Sequence, residues 1–337
     1  MIIINLTSFI MAFFIVMLIL HKLRPLARRI KLIDNAYQKS IPLIGGIAMF
    51  CGFMLALLTL DMPLSGLRFL VAGATILVIV GILDDFHELS ISIRFITQIM
   101  VGLLITVGGG IVIKDLGIIG VFGWFAEPLT ILAILGAINA VNMTDGIDGL
   151  AGGLTLITIS ALAFISWQAN LYQSLNILLL LIICLLAFLI FNLPYKKKSG
   201  AMIFMGDAGS MFLGFMVVWF LINLSQGEEP AMSPVAVLWI FALPLFDMTS
   251  SIIFRTLKGS SPCARDRKHM HYILLDLGFT VQKTLLILLG TASLIAVSGL
   301  FGFYLGVSET IMFWMFMGLF GLYFILYLKL VAISRMQ

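Results

Sequence analysis

Residues 173–193 read QSLNILLLLIICLLAFLIFNL, a stretch without a single charged side chain. An α-helix of about 20 apolar residues is long enough to cross a bilayer. Similar stretches recur along the chain, and 61% of its 337 residues are hydrophobic whereas 11% are charged. A soluble domain usually carries about 25% charged residues. The pattern predicts a single-domain, all-α, polytopic membrane protein over residues 1–337, because helices satisfy their own backbone polar groups in lipid.

The apolar stretches predict about eleven transmembrane helices. They cover residues 3–21, 43–60, 67–83, 94–113, 129–143, 150–167, 173–193, 203–225, 232–255, 282–305 and 309–330. Glycines 108–110 are expected to end the fourth helix. The first stretch lacks a basic leader and a small-residue cleavage site, so we expect a retained helix and not a signal peptide.

The basic residues predict the orientation, because loops rich in Lys and Arg stay in the cytoplasm. Residues 21–42 carry a basic cluster, which places the N-terminus outside and, after eleven crossings, the C-terminus in the cytoplasm. This topology leaves only Arg68 and Lys114, of 20 Lys and Arg residues, on the outer side. The basic balance therefore indicates contact with an anionic lipid bilayer and not with nucleic acid.

An acidic pair, Asp84 and Asp85, stands at the predicted cytoplasmic end of the third helix. Charges near membrane depth are costly and usually functional. Adjacent carboxylates repel, so the pair favours binding of a proton or a cation, and Mg²⁺ prefers oxygen ligands. The pair alone is equally compatible with a solvated helix end.

A second cluster lies between the fifth and sixth helices. Its polar residues stand three positions apart: Asn139, Asn142, Asp145 and Asp148. In a helix they would share one face, whereas Gly146 and Gly149 favour a loop. In either form they offer donors and acceptors for a nucleobase, a ribose or a hydrated metal ion. An ordinary Asn/Asp/Gly turn is the simpler alternative.

The eighth helix is predicted to open with Phe204-Met-Gly-Asp207-Ala-Gly-Ser210. The glycines allow a ligand to approach the backbone closely. Asp207 would supply an oxygen ligand beside a helix N-terminus, where anions are also favoured. A capping aspartate is the alternative interpretation.

The longest predicted cytoplasmic loop, residues 255–283, combines histidines with basic side chains. Its candidate diphosphate- and sugar-binding residues are Arg255, Arg265, Arg267, His269 and His271. Arginine suits phosphate recognition. His-x-His alone is weak evidence for a metal site, because Mg²⁺ avoids imidazole. The alternative is a loop that is basic only for topological reasons.

Two more basic residues are candidates. Lys39 precedes Pro42-Leu-Ile-Gly-Gly46, which is otherwise a plain helix entry, and Arg94 begins the fourth predicted helix. Arg94 could contact a lipid phosphate at the cytoplasmic face.

Together these motifs resemble the polyprenyl-phosphate N-acetylhexosamine-1-phosphate transferases. The resemblance covers residues 34–278, with the motifs in the family's order. It implies the same eleven-helix topology in a bacterial inner membrane, with the site on the cytoplasmic face. It implies transfer of a sugar phosphate from a UDP-sugar to undecaprenyl phosphate with release of UMP, and Mg²⁺ as cofactor, with Mn²⁺ as a substitute.

The resemblance also distributes roles among the candidate residues. Asp207, with Asp84, Asp85 or both, would hold the metal, and the other member of the pair would deprotonate or orient the lipid phosphate. Asn139, Asn142, Asp145 and Asp148 would hold uridine or surround the metal. His269 and His271 are assigned to catalysis in the basic loop. Lys39 and Arg94, with Arg255, Arg265 and Arg267, would bind the substrates.

The donor and the partners are less determined. The motif forms favour the branch that uses UDP-GlcNAc at the start of envelope polysaccharide synthesis, such as that of O-antigen. UDP-MurNAc-pentapeptide or another UDP-N-acetylhexosamine stays open, since Tyr272 replaces an expected histidine. A transporter is the rival class, although its site would lie near the midplane. The 31 glycines would allow a homodimer, but no GxxxG face stands out.

Overall fold

The computed structural model describes residues 5–34, 40–121, 123–194, 200–262, 264 and 267–334. Two predicted site residues, Lys39 and Arg265, lie outside the described residues. The described parts of the chain form thirteen α-helices and one short sheet. The helices are α1 (Leu6–Arg29), α2 (Gly45–Leu57), α3 (Arg68–His87), α4 (Ile91–Leu103), α5 (Ala126–Thr144), α6 (Leu150–Gln168), α7 (Tyr172–Asn192), α8 (Gly206–Ser225), α9 (Pro234–Ile240), α10 (Ala242–Leu257), α11 (Met270–Asp276), α12 (Val281–Tyr304) and α13 (Glu309–Ser334).

The all-α, polytopic prediction is confirmed. Within the described residues, nine helices are long and apolar enough to cross a membrane, or ten if the bent pair α9 and α10 is one span. Helix α2 occupies the second predicted segment but has only 13 residues. The count of eleven crossings and their orientation stay predictions.

The ninth predicted segment, 232–255, is not the single straight helix that we expected. Helices α9 and α10 meet at an angle of 81°. Pro244 lies in the first turn of α10, and its missing N–H cannot pair with the carbonyl of Ile240. The hydroxyl of Thr158 on α6 donates to that carbonyl at 3.3 Å. The bend is therefore stabilised by a neighbouring helix, which hydropathy alone cannot reveal.

The fourth predicted helix ends where its glycines indicated. Ser90 caps the N-terminus of α4, because its hydroxyl accepts from the backbone N–H of Ile93. The helix continues as a π-helical turn over Leu104–Gly108. A π-turn widens the helix and often occurs near functional regions.

Helix α8 forms the centre of the bundle and is almost completely buried. It packs against α2, α3, α5 and α6. Small residues allow the closest crossings: Gly46 lies against the backbone of Gly209, and Gly81 against the backbone of Ala208. Without Cβ atoms the helix backbones can approach closely, as in other membrane bundles. Helices α12 and α13 lie at the periphery and expose most of their surface.

A small sheet connects the first two helices with the start of α8. Strands β1 (Ile33–Asp34) and β2 (Ile41–Pro42) pair antiparallel. The chain after β2 continues the pairing, because the N–H groups of Gly45 and Gly46 donate to Phe204 and Met205 at 3.0 and 2.9 Å. The Pro-Leu-Ile-Gly-Gly motif is therefore more than a helix entry, since it fixes the segment that carries Asp207.

Candidate active site

A polar cavity of about 970 Å³ opens at one end of the bundle. The ends of α3 and α5, the beginning of α8 and the segment around α11 form its wall. The polar side chains that line it are Asp34, Asp84, Asp85, Glu88, Asn142, Asp145, Asp148, Asn192, Asp207, Arg267 and Tyr272. Residues from all four of the predicted clusters thus meet in one place, as the sequence indicated.

Asp85 holds the first turn of α8. Its Oδ1 accepts from the N–H of Asp207 at 2.7 Å, and its Oδ2 accepts from the N–H of Ala208 at 3.3 Å. These are helix N-terminal donors without an intrahelical partner. Gly206 has φ +74°, and a Cβ there would lie 2.5 Å from Asp85 Oδ2. Glycine at 206 therefore permits both the backbone turn and the approach of the carboxylate.

Asp84, the other member of the pair, is buried and faces a cation. Its Oδ1 accepts from the N–H of Leu89 at 2.7 Å, and Arg94 Nη1 of α4 lies 3.3 Å from its Oδ2. That Oδ2 is buried and makes no hydrogen bond. The positive charge of Arg94 thus partly neutralises the Asp84 carboxylate. Its Oδ2 can still bind a second cation.

Asp207 is held between two helices. Asn142 Nδ2, in the last turn of α5, donates to Asp207 Oδ1 at 2.5 Å and to Ser210 Oγ at 2.8 Å. The negative charge of Asp207 also acts on the carboxyl groups of Asp84, Asp85 and Asp145. Its carboxylate therefore lies at the centre of the acidic cluster.

The turn between α5 and α6 contributes two acids to the cavity. Burial, and then the charges of Asp207 and Asp148, raises the pKa of Asp145 to about 7. Burial also raises the pKa of Asp148, although Asp148 Oδ2 accepts from the N–H of Ala201 at 2.7 Å. Such a cluster is costly when fully ionised and favours a cation that neutralises it.

The acidic cluster fits Mg²⁺ without forming a complete cage. In the described part of the chain, no group of three or more His, Cys, Asp or Glu side chains has the arrangement of a preformed metal site. Mg²⁺ usually keeps several waters and binds one or two carboxylates plus substrate phosphates. Asp207 offers one hard oxygen donor, and Oδ2 of Asp84, which faces Arg94 but makes no hydrogen bond, offers a second.

Asn139 does not line the cavity, although the sequence grouped it with Asn142. Its Nδ2 donates to Gln98 Oε1 of α4 at 2.7 Å and to the carbonyl of Leu135 at 2.8 Å. Gln98 is buried and lies one helical turn after Arg94. The pair therefore fastens α4 to α5, which holds Arg94 beside Asp84.

The two histidines of the basic loop occupy different surroundings, and neither is among the cavity-lining residues. His269 lies between Asp247 and Arg255 in the interior of the protein. His271 is buried against Gly146, and its Nε2 has no hydrogen-bond partner. Burial lowers the pKa of His271 to about 4, so His271 is neutral at physiological pH.

Arg267 and Tyr272 bring the basic loop to the cavity wall. The guanidinium of Arg267 lies 4.6 Å from the centroid of the Tyr272 ring, a cation–π contact that limits its movement. Arg267 also lies 3.9 Å from Asp276, but both side chains are largely exposed, so that ion pair is weak. Arg255, by contrast, is 3% exposed and does not line the cavity.

Several residues that shape the site were not singled out in the sequence. Asn192 holds the turn after α5, because its Oδ1 accepts from the N–H of Gly149 and its Nδ2 donates to the carbonyl of Ile203, both at 2.9 Å. Asp34 and Gln98 were also missed. Asp247 had a detectable signal, since it is a lone acid inside an apolar stretch.

Comparison with known proteins gives a consistent result. Residues 67–225 match glycosyl transferase family 4. A protein of Escherichia coli strain K12 called undecaprenyl-phosphate α-N-acetylglucosaminyl 1-phosphate transferase is 34% identical, over 95% of this chain and 89% of its own length. Proteins with the same name from Yersinia pestis and Haemophilus influenzae are 34% and 35% identical, over 95% and 89% of this chain and 90% and 88% of their own lengths.

Proposed function

The chain is a member of glycosyl transferase family 4, and we propose that it transfers GlcNAc-1-phosphate from UDP-GlcNAc to undecaprenyl phosphate. The products are UMP and undecaprenyl-diphosphate-GlcNAc. The observation that carries the proposal is the meeting of Asp84, Asn142 and Asp207 with Arg267 around one cavity at the end of the bundle. The names of the relatives support the choice of donor and acceptor.

The reaction is a displacement at phosphorus. An oxygen of the lipid phosphate attacks the β-phosphorus of UDP-GlcNAc, the bond from that phosphorus to the bridging oxygen breaks, and UMP leaves. A phosphate monoester has a second pKa near 6, so the lipid phosphate is already ionised at neutral pH and needs no strong base. Positioning and charge neutralisation therefore provide most of the catalysis.

We assign Asp207 and Asp84 to Mg²⁺, with Mn²⁺ as a substitute. When bound, the ion would neutralise the diphosphate of the donor. Asp85 orients Asp207, because both of its oxygens already accept N–H groups of α8. Asn142 keeps the Asp207 carboxylate aimed into the cavity.

The remaining groups bind the two substrates. Arg267 is the described basic side chain that lines the cavity, and a guanidinium suits the donor's diphosphate. Arg94 lies beside the cavity, paired with Asp84, where it can attract the phosphate of the lipid. Asp145 and Asp148 border the same space and offer acceptors for uridine or for water around the metal.

We also place the cavity on the cytoplasmic side of a bacterial inner membrane. UDP-sugars are cytoplasmic, and the excess of Lys and Arg at this end of the bundle agrees with the rule for cytoplasmic loops. The open cavity lies near the helix ends and not at their middle, which favours an enzyme at the interface over a transporter.

The test is direct. Purified protein is incubated with undecaprenyl phosphate, Mg²⁺ and radiolabelled UDP-GlcNAc, and the label that enters the lipid phase is counted together with UMP. We expect transfer that EDTA abolishes and that added Mg²⁺ restores. Absence of transfer from UDP-GlcNAc, with transfer from another UDP-sugar, would overturn the choice of donor and keep the reaction class. If the folded protein transferred no label from any UDP-sugar, the proposed function would be wrong.

A further inference from the structure

We propose that Asp247 is a positioning residue that holds the basic loop against the substrate cavity by fixing the tautomer of His269 and the start of α11. Asp247 lies on α10, outside the cavity wall, and is 4% exposed. The kinetic part of this inference rests on the proposed function. The tautomer part does not depend on it.

Asp247 connects three helices through its two oxygens. Its Oδ2 lies 2.8 Å from His269 Nδ1. Its Oδ1 accepts from the N–H of Met270, the first residue of α11, at 2.7 Å. The hydroxyl of Tyr323 on α13 donates to the same Oδ1 at 3.3 Å. A buried carboxylate with this many donors is satisfied by the protein and needs no ligand.

The neighbours of His269 admit one protonation form. Its Nδ1 faces Asp247 Oδ2 and also Ser251 Oγ at 3.2 Å, and the Ser251 hydroxyl donates its proton to the carbonyl of Lys268. Its Nε2 lies 3.2 Å from Arg255 Nη2. A guanidinium can only donate, so Nε2 accepts and Nδ1 carries the proton. Asp247 thus selects the neutral Nδ1–H form of His269.

This arrangement changes the role expected for His269 and Arg255. Both ring nitrogens of His269 are used inside the protein, so His269 has no free nitrogen for a substrate phosphate. Arg255 Nη1 also donates to the carbonyl of Pro262 at 3.1 Å. The Asp247–His269–Arg255 chain therefore connects α10 to both flanks of the basic loop.

The same chain determines where the cavity-facing side chains stand. His269 and Met270 are followed directly by His271 and Tyr272, and Tyr272 carries the stacked guanidinium of Arg267. A rotation of α11 would therefore move Tyr272 and Arg267 together, away from the donor's diphosphate. The hydrogen bonds of Asp247 go to His269, Met270 and Tyr323 and not to the acidic cluster on α3 and α8, so we expect that cluster to stay in place.

The decisive variant is Asp247→Asn, which keeps the shape and one acceptor for Met270. Its amide N–H₂ would face His269 Nδ1 and oppose the Nδ1–H form. At metal sites, loss of the carboxylate that orients a histidine lowers activity roughly 10- to 100-fold, and we take the same order of magnitude here. We expect this loss in kcat/KM for UDP-GlcNAc, mainly through KM, with the KM for undecaprenyl phosphate unchanged.

Two further variants make the kinetic result specific. Ser250→Ala removes a buried hydroxyl from the same helix, one that has no hydrogen-bond partner, and should behave like the wild type. His269→Asn should not add to the effect of Asp247→Asn, because residues that act through one another are coupled. Additive losses, or equal losses for both substrates with a lowered unfolding temperature, would overturn the positioning role.

The tautomer is read independently of activity. Nitrogen NMR of ¹⁵N-histidine-labelled protein distinguishes the Nδ1–H and Nε2–H forms, and only four histidines contribute. The resonances that are absent from the His269→Asn variant are assigned to His269. They should show the Nδ1–H form in the wild type and a different form in Asp247→Asn. An Nε2–H or doubly protonated His269 at neutral pH would overturn the inference. If the wild type showed no transfer from UDP-GlcNAc, the proposed function would fail while this result stood.

Discussion

The acidic cluster and the basic loop line the same cavity, but they are positioned in different ways. Backbones hold the acidic cluster: α3 and α8 cross where Gly81 meets Ala208, and the N–H groups of α8 bind Asp85. Side chains hold the basic loop, through Asp247 and Tyr327. Closely packed backbones are sensitive to an added methyl group, because there is no space for it. A network of side-chain hydrogen bonds is sensitive instead to the loss of a hydroxyl, because its partner is left unsatisfied.

The largest effect is expected at the centre of the acidic cluster. Asp207→Asn would remove the charge that we assign to Mg²⁺ binding, and metal catalysis contributes several kcal/mol, so transfer should fall at least ~1000-fold. The shape of the side chain is kept, and the protein should stay folded. Label transfer and thermal unfolding in detergent are measured together. Glu229→Gln, at an exposed acid remote from the cavity, is the matched control, and near-normal activity of Asp207→Asn would reject the metal assignment.

An added methyl group at Gly206 should have the next largest effect. A left-handed conformation costs an alanine about 1–2 kcal/mol, and the new Cβ would also press on Asp85 Oδ2. We expect Gly206→Ala to lower transfer roughly 10- to 100-fold through misplacement of Asp207. Gly227, with φ +115° and open space around it, supplies the control. Gly227→Ala should share the backbone cost and keep its activity per folded molecule; equal kinetics of the two variants would contradict the contact argument.

Removal of a hydroxyl that holds the basic loop should lower activity less. The Tyr327 hydroxyl donates to the carbonyl of Lys268 at 2.7 Å, and such a bond contributes about 1 kcal/mol. Tyr327→Phe should therefore raise the KM for UDP-GlcNAc by a factor of about 5, since 1.4 kcal/mol corresponds to tenfold. Initial rates at varied donor concentration measure it. Tyr304→Phe, at a partly exposed ring, should leave KM unaltered. A changed KM for the lipid alone would place Tyr327 with the other substrate.

The smallest kinetic effect is expected where sequence and structure disagree. Asn139→Ala leaves the buried Gln98 without its partner, which costs about 1–3 kcal/mol of stability. Because Asn139 is not in the cavity wall, the KM for UDP-GlcNAc should stay within about twofold of the wild type. Any rise should be confined to the KM for undecaprenyl phosphate, because the Asn139–Gln98 pair holds Arg94. Thermal unfolding and donor kinetics separate the two effects. A clear rise in the KM for UDP-GlcNAc at unchanged stability would show that Asn139 takes part in binding the donor.

The spacing of polar residues was informative only where it coincided with a helix end. Asn142, Asp145 and Asp148 lie around the cavity, as predicted, because α5 ends at Thr144 and the chain turns there. Asn139 has the same spacing but lies one turn deeper, where a polar group in an apolar environment pairs with another helix. Its partner Gln98 is 41 positions away in the chain, and no local pattern indicates that distance.

The difference between the two histidines was likewise beyond the sequence. His269 and His271 are two residues apart and carry the same chemistry. The structure places one between Asp247 and Arg255 and the other against Gly146. These contacts join residues from the turn after α5, from α10 and from the basic loop, and only the packing of the helices brings them together.

What the sequence by itself determined is the membrane-spanning, all-α class and the gathering of acids at one end of the bundle. These features are determined locally, because the hydropathy of each segment decides whether it lies in lipid or in water. The tertiary structure alone decided the 81° bend between α9 and α10, the use of Asp85 as a cap for α8, and the network around Asp247. Each of these features depends on which helices are in contact. Contacts between segments that are far apart in the sequence produce no periodic pattern of residues from which they could be predicted.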